Sequence, residues 1–229
     1  MSKKPTAVSK PKPSTPSSEQ TRLALIRAGL KLFGERGFAG TSTRELAGMA
    51  GANIGSIAYH FGGKEGLRMA CAEFIVDTAQ RLAKKALQPA QAVPDRDMPA
   101  ADRLHFALEE TVSFIVANPE ASDIVQFILR EVAHPTAALD TIYNGFFEPT
   151  HKRLCLLWAE ATGEDAGSEA VKITVFTLIG QILYFRIGRP AIMRRLGWKE
   201  IGAREAARVT SVVQSNLAAI LGARKGQRS

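Results

Sequence analysis

The sequence predicts an all-α protein of about nine helices, and three observations carry that expectation. Apolar residues recur at spacings of three and four along most of the chain, beginning with Leu23, Ile26, Leu30 and Phe33. No segment alternates convincingly between apolar and polar residues as a half-buried strand does. Gly37, Asn118-Pro119, His134-Pro135, Gly163 and the stretch Gly188 to Pro190 punctuate the pattern at helical lengths. With 229 residues, 45% of them hydrophobic, the chain can build a sizeable core.

Residues 1–18 are rich in Pro, Ser and Lys and are expected to form a disordered basic arm. A helix follows from Glu19 to a stop at Gly37. Ser42 and Glu45, three residues apart, read as a capping box, so a short helix starts near Thr43 and ends at Gly51, whose permissive φ suits a tight turn. Asn53 is a good N-cap for a second short helix that stops at Gly62-Gly63. Ile57 and Phe61, four apart, can pack inward. That leaves Ile54, Gly55, Ser56, Tyr59 and His60 at the helix start or on its outer flank, where a groove-reading helix makes its contacts. Lys64 opens the next helix and puts a cation beside them.

Gly66 to Leu87 reads as a longer helix leaving this head, and Pro89 to Pro99 as a loop. Helical periodicity then runs through Leu104 to Val116, Ser122 to Ala133, Ala138 to Ala161, Ser168 to Ile187 and Glu200 to Leu221. The expected organisation is a three-helix helix-turn-helix head at 19–66, a larger helical body at 67–222 and a basic tail at 223–229.

Charge separates head from body. Residues 1–72 hold eleven Lys or Arg against four Glu, a balance of +7 out of a whole-chain +8. Residues 73–222 carry sixteen basic and eighteen acidic residues, and Arg224, Lys225 and Arg228 follow. A basic head on a near-neutral body is the electrostatic footprint of a phosphate-backbone binder.

Other chemistries find little support. Cys71 and Cys155 lie far apart in neither a CxxC nor a Cys/His cluster, which fits buried thiols in a reducing cytoplasm. The sequence has no uninterrupted apolar run of 18 residues and no hydrophobic leader, so neither a membrane span nor a secretory signal is expected. Glu131 and His134 make one E-x-x-H pair, half of a carboxylate-bridged di-metal signature, but a second pair is missing. With no HExxH, P-loop or GxSxG, no cofactor, metal or catalytic role is expected.

The strings TSTRELA and AGANIGSIAYHFGGKEGL, over about Thr21 to Cys71, resemble the TetR family of bacterial transcriptional regulators. The body strings FILREVAHPTAA and LIGQILYFRIGRPAIMRRLGW look like the CerR-type (YbiH-like) C-terminal domain of that family. The resemblance implies that Thr43 touches phosphate and Arg44 a base edge. It makes Ile54, Gly55 and Ser56 the base-reading start of the recognition helix, and Tyr59, His60 and Lys64 backbone contacts. The family often has a polar or basic residue where this chain has Ile54, and an aromatic where it has Ala58. Apolar Ile54 suits a thymine methyl better than a guanine edge.

One recognition helix reads too few base pairs for useful specificity, so a homodimer on a palindromic operator in double-stranded DNA is expected. Ile173, Phe176, Thr177, Gly180, Leu183 and Tyr184 form one apolar stripe, and Val209, Val212, Val213, Asn216, Leu217 and Ile220 another. The resemblance implies that these last two helices form a two-fold four-helix bundle. In the body, Phe106, Phe114, Phe127, Arg130, His134, Tyr143, Phe147, His151, Trp158, Gln181 and Phe185 mix aromatic and polar character as a ligand cavity does, with ordinary core packing the competing account of each. The family further implies a small-molecule effector that lowers DNA affinity. The expectation is a ligand-responsive repressor. The alternative is a helical small-molecule-binding or enzymatic protein whose basic head serves another acidic partner.

Overall fold

The computed structural model describes residues 17–87, 98–118 and 120–226, and among these every regular element is a helix. In chain order they are α1 (Ser18–Arg36), α2 (Thr43–Ala50), α3 (Gly55–Phe61), α4 (Lys64–Leu87), α5 (Ala100–Val112), π1 (Ser113–Ala117), α6 (Glu120–Ala133), α7 (Ala137–Ile142), π2 (Tyr143–Phe147), α8 (Glu148–Thr162), α9 (Glu169–Ile187), α10 (Arg189–Leu196) and α11 (Ala203–Gly226). Because α5 runs into π1, and α7, π2 and α8 are continuous, these make ten helical segments. The expected arm lies outside the described residues but for its last two, and the expected loop at 89–99 but for its last two.

The helix starts follow local chemistry. Ser17 and Gln20 cap α1 reciprocally, Ser42 and Glu45 do the same for α2, and the Ser168 and Thr136 hydroxyls cap α9 and α7. α10 is the element missing from the expected set. Gly188 to Pro190 is punctuation in sequence, but Pro190 falls in the first turn of α10, where its missing N–H leaves no helical bond unmade. α11 continues to Gly226, into the stretch expected as a tail at 223–229.

The helices enclose two cores. One joins Leu25, Leu32 and Phe33 of α1 to Leu46, Ile57, Leu67 and Ile75 of the following helices, and continues through Phe127 of α6 to Ile142 of α7. The other lies among α5, α8, α9 and α11, with Trp158 fully buried beside Leu104, Val175, Ile182, Val213 and Leu217. α6 and α7, which belong to the body in sequence, share the core of the head.

The seam between head and body is close. A Cβ added at Gly34 of α1 would lie 3.0 Å from the Phe127 backbone nitrogen, so this glycine admits α6 against α1. α9 carries apolar residues on every side and is long and apolar enough, by length and composition, to cross a membrane. Here Val171, Val175, Leu178 and Ile182 face the second core, while Ile173, Phe176, Tyr184 and Ile187 remain exposed on the opposite side.

Candidate nucleic-acid interface

The head presents two short helices whose geometry follows from their caps. At α2, the Ser42 N–H and hydroxyl donate to Glu45 Oε2 at 2.8 and 2.7 Å, and the Glu45 N–H returns to the Ser42 hydroxyl at 3.2 Å. Arg36 adds a 2.7 Å ion pair to the other Glu45 oxygen. The bond from the Ser42 N–H is the main reason that the Glu45 carboxyl is held below its ordinary range, with the Ser42 hydroxyl and the Arg36 guanidinium also contributing. The helix ends in a Schellman turn: Gly51 takes φ 62° and ψ 28°, its N–H reaches Gly48 O at 3.2 Å, and the Ala52 N–H reaches Ala47 O at 2.9 Å.

Asn53 closes a side-chain turn at the entry of α3, where Ile54 and not Asn53 holds the N-cap position. Its Oδ1 accepts at 2.9 Å from the N–H of Gly55, the first helical residue. Ile57 is buried and Phe61 half-buried against the core, as their spacing requires. The outer surface consists of exposed Arg44, Gly55 and Ala58 with half-buried Thr43, Ser56 and His60. Ile54 and Tyr59 stand out of it at 51% and 81% exposure, two large side chains side by side on one short helix and its entry. The Tyr59 ring meets His60 edge-on at 4.9 Å. This leaves a small-residue ridge flanked by an aromatic and a guanidinium, which suits a groove with phosphates on either side.

Lys64 has a second task that its position alone did not reveal. Its ammonium donates to Phe38 O and Thr41 O, both at 2.9 Å, and lies 4.1 Å from the Phe38 ring centroid. Thr41 is itself buried, with its hydroxyl donating to Gly37 O at 2.8 Å and toward Leu32 O at 3.1 Å. The turn before α2 is thereby tied to α4. The ammonium has a third N–H beyond these two bonds.

The expected interface stripes are divided by the fold. Phe176, Gly180 and Tyr184 of α9 and Val212 and Asn216 of α11 are exposed, and Leu183 is half-buried. Val209, Val213 and Leu217 instead belong to the second core, because α11 turns that side toward α5 and α8. Gln181 and Asn216 share a 3.1 Å hydrogen bond across a shallow groove of about 320 Å³ between α9 and α11.

The expected ligand cavity is likewise not one place. Phe127 is core to the head, with Phe114 and Phe147 packed beside it, whereas Trp158 and Phe185 belong to the second core. Trp158 directs its Nε1 to Glu164 at 2.9 Å. Arg130, His134 and Tyr143 are exposed, Arg130 standing over Gly37 at the seam, and Phe106 is half-buried on α5. His151 stacks on Phe176 at 4.0 Å and accompanies the α9 surface, as Gln181 does. Aromatics at helical spacing therefore served mostly as core.

Two features escaped the sequence reading. Glu131, weighed only as half of a metal motif, is 3% exposed and accepts from Arg68 Nε at 2.8 Å and from the Thr136 hydroxyl at 2.6 Å. The body's charge is also uneven, for residues 186–208 hold Arg186, Arg189, Arg194, Arg195, Lys199, Arg204 and Arg208 against Glu200 and Glu205. A windowed charge count would have found this island.

A capped helix-turn-helix carried on a larger helical body defines the class as a DNA-binding transcriptional regulator. Residues 25–71 match the family model for bacterial regulatory proteins of the tetR family, and residues 100–224 match the C-terminal domain of the HTH-type transcriptional dual regulator CecR. The chain is 33% identical over 210 residues to the HTH-type transcriptional dual regulator CecR of Shigella flexneri, covering 90% of this chain and 94% of that one. A TetR-like transcriptional regulator from Rhodococcus sp. RHA1 shares the fold with a TM-score of 0.66 at 15% identity, covering 91% of this chain and 99% of that one. AibR, solved with isovaleryl coenzyme A and operator DNA, shares it with a TM-score of 0.60 at 13% identity, covering 85% and 96%. The chain belongs to the TetR family of transcriptional regulators, with a CecR-type C-terminal domain. Its family and relatives are regulators, not enzymes.

Proposed function

We propose that the protein is a homodimeric repressor, released from a palindromic operator by a small-molecule effector. The exposed ridge of α2 and α3 carries the DNA half of this reading, since Ile54 and Tyr59 hold large apolar surface in water, and the Tyr59 ring contact is to His60 of the same short helix. Thr43 takes phosphate and Arg44 a base edge; Ile54, Gly55 and Ser56 read bases; Tyr59, His60 and the free N–H of Lys64 take the backbone. The functional division is a DNA-binding unit at 19–66 and a regulatory unit at 67–222.

The exposed side of α9 supports the dimer. A helix with apolar residues on every side is stable in water only when covered on both sides, and one side of α9 already faces the core. A second copy laid across Phe176, Gly180, Tyr184 and Val212 covers the other and sets two heads about 34 Å apart or a multiple of it. For the effector, the half-buried aromatics Phe114 and Phe147, packed against the first core from the body, are the favoured contacts. The coenzyme A thioester bound by AibR supports a small organic effector here, and a coupling of about 1–3 kcal/mol would suffice to shift operator affinity.

Footprinting of the DNA upstream of the protein's own gene tests the reading. Salt-sensitive protection of a palindrome supports it, and an absence of protection at low salt overturns it. Because the Shigella relative is described as a dual regulator, transcription from that DNA should be measured as well, a rise on adding protein being the outcome that replaces repression by activation.

A further inference from the structure

We propose that Arg68 and Glu131 are positioning residues for operator recognition, an inference that rests on the DNA-binding reading above. Neither is on the DNA-facing ridge. Arg68 lies one turn beyond Lys64 on α4, with its side chain 11% exposed, and Glu131 lies on α6. The Arg68 guanidinium sits 4.9 Å from the Phe38 ring centroid, on the ring whose other cation is Lys64 at 4.1 Å. Its Nε donates to Glu131 Oε1 at 2.8 Å, while the second Glu131 oxygen takes the Thr136 hydroxyl, which also caps α7 by accepting from the Ala138 N–H.

A continuous polar path thus runs from the N-cap of α7 in the body, through Glu131 and Arg68, to Phe38 and the turn that launches α2. Two properties make it a positioning device. Buried ionic groups have few geometries that satisfy both partners, so the pair fixes α4 relative to α6, two helices joined mainly through α1 and α7, more narrowly than apolar contacts do. Phe38 lies in the short turn from α1 to α2, and α2 is only eight residues long, so a shift of the ring moves the helix that carries Thr43 and Arg44.

The test uses the full-length protein and the upstream DNA that it protects. Glu131→Gln keeps the side chain's size and an acceptor for Thr136 while removing the buried charge opposite Arg68, whose exposed partner Glu65 at 3.8 Å stays in place. Operator affinity should fall about tenfold or more, with the slope of log K against log salt unchanged because no phosphate contact is lost. Arg68→Lys keeps the charge but cannot lay a plane on Phe38, and should cost about threefold. Amide exchange supplies a readout that general destabilisation would not move selectively: residues 41–61 should exchange faster in Glu131→Gln while α8 and α9 keep their wild-type protection.

Affinity within twofold of wild type overturns the proposal, as do a reduced salt slope and a uniform rise in exchange. If Glu131→Gln does not fold, Arg68→Lys and Thr136→Val carry the same three measurements. Should wild-type protein protect no DNA, the regulatory reading fails, while selective loosening of residues 41–61 would still support the positioning pair and its absence would overturn it.

Discussion

Lys64 Nζ donates at 2.9 Å to the carbonyl of Thr41, the residue immediately before the Ser42 N-cap of α2. A side chain at the start of one helix thereby anchors the entry of another, twenty-three positions earlier in sequence. Lys64→Met is expected to lower unfolding stability by about 1.5–3 kcal/mol, the usual range for a hydrogen bond to a charged group. It should also reduce the slope of log K against log salt by about 0.9, because the remaining N–H is assigned to one phosphate. Urea unfolding and a salt titration of operator binding check the two effects separately.

Tyr59 and Ile54 should behave oppositely to core residues. Tyr59→Ala removes an 81% exposed ring and should leave stability within about 0.5 kcal/mol while weakening operator binding. Ile54 has a side chain that suits a thymine methyl, so Ile54→Arg should shift preference toward guanine at one position per half-site, by about 1–3 kcal/mol. Selection from a randomised operator library, read for each variant, shows whether one position changes or all weaken together.

Acid should loosen α2 through Glu45. Its carboxyl is held down chiefly by the Ser42 N–H, so its help to the folded head is complete above the ordinary carboxylate range and is lost as pH falls through the depressed value. Glu45→Gln should therefore flatten the acid limb of a thermal-stability profile. A variant whose melting temperature follows the wild-type curve in parallel through that limb would contradict this.

The head was legible because its signals are local. Ser42 with Glu45, Gly51 and Asn53 each act within a few residues, and the structure gives the first three the cap and the turn that their chemistry suggests, and Asn53 a side-chain turn beside the N-cap position. What was not legible depended on which side of a helix finds a neighbour. Val209, Val213 and Leu217 share a stripe with Val212 and Asn216 in sequence, yet the packing of α11 on α5 and α8 buries the first three and leaves the other two outside. Phe127 and Trp158 look alike as candidate pocket aromatics but fall in separate cores, a distinction set by contacts across tens of residues. Pro190 misled for another reason, since proline opens a helix as readily as it ends one.

The division of the α11 stripe makes the dimer prediction specific. Phe176 is 62% exposed on α9 and Leu217 fully buried on α11, so the two should respond differently to substitution. Phe176→Arg puts a charge where a second copy is proposed to pack, leaving the monomer's core untouched. Sedimentation should show a shift to monomer, with stability at low concentration near that of wild-type monomer and operator affinity strongly reduced, since two linked heads gain from a shared effective concentration that a single head lacks. Leu217→Ala creates a cavity beside Trp158 and should cost about 2–5 kcal/mol of stability while the folded fraction still dimerises. Should Phe176→Arg remain dimeric at micromolar concentration, the exposed side of α9 is not the interface, and the covering that its apolar surface requires must come from another partner.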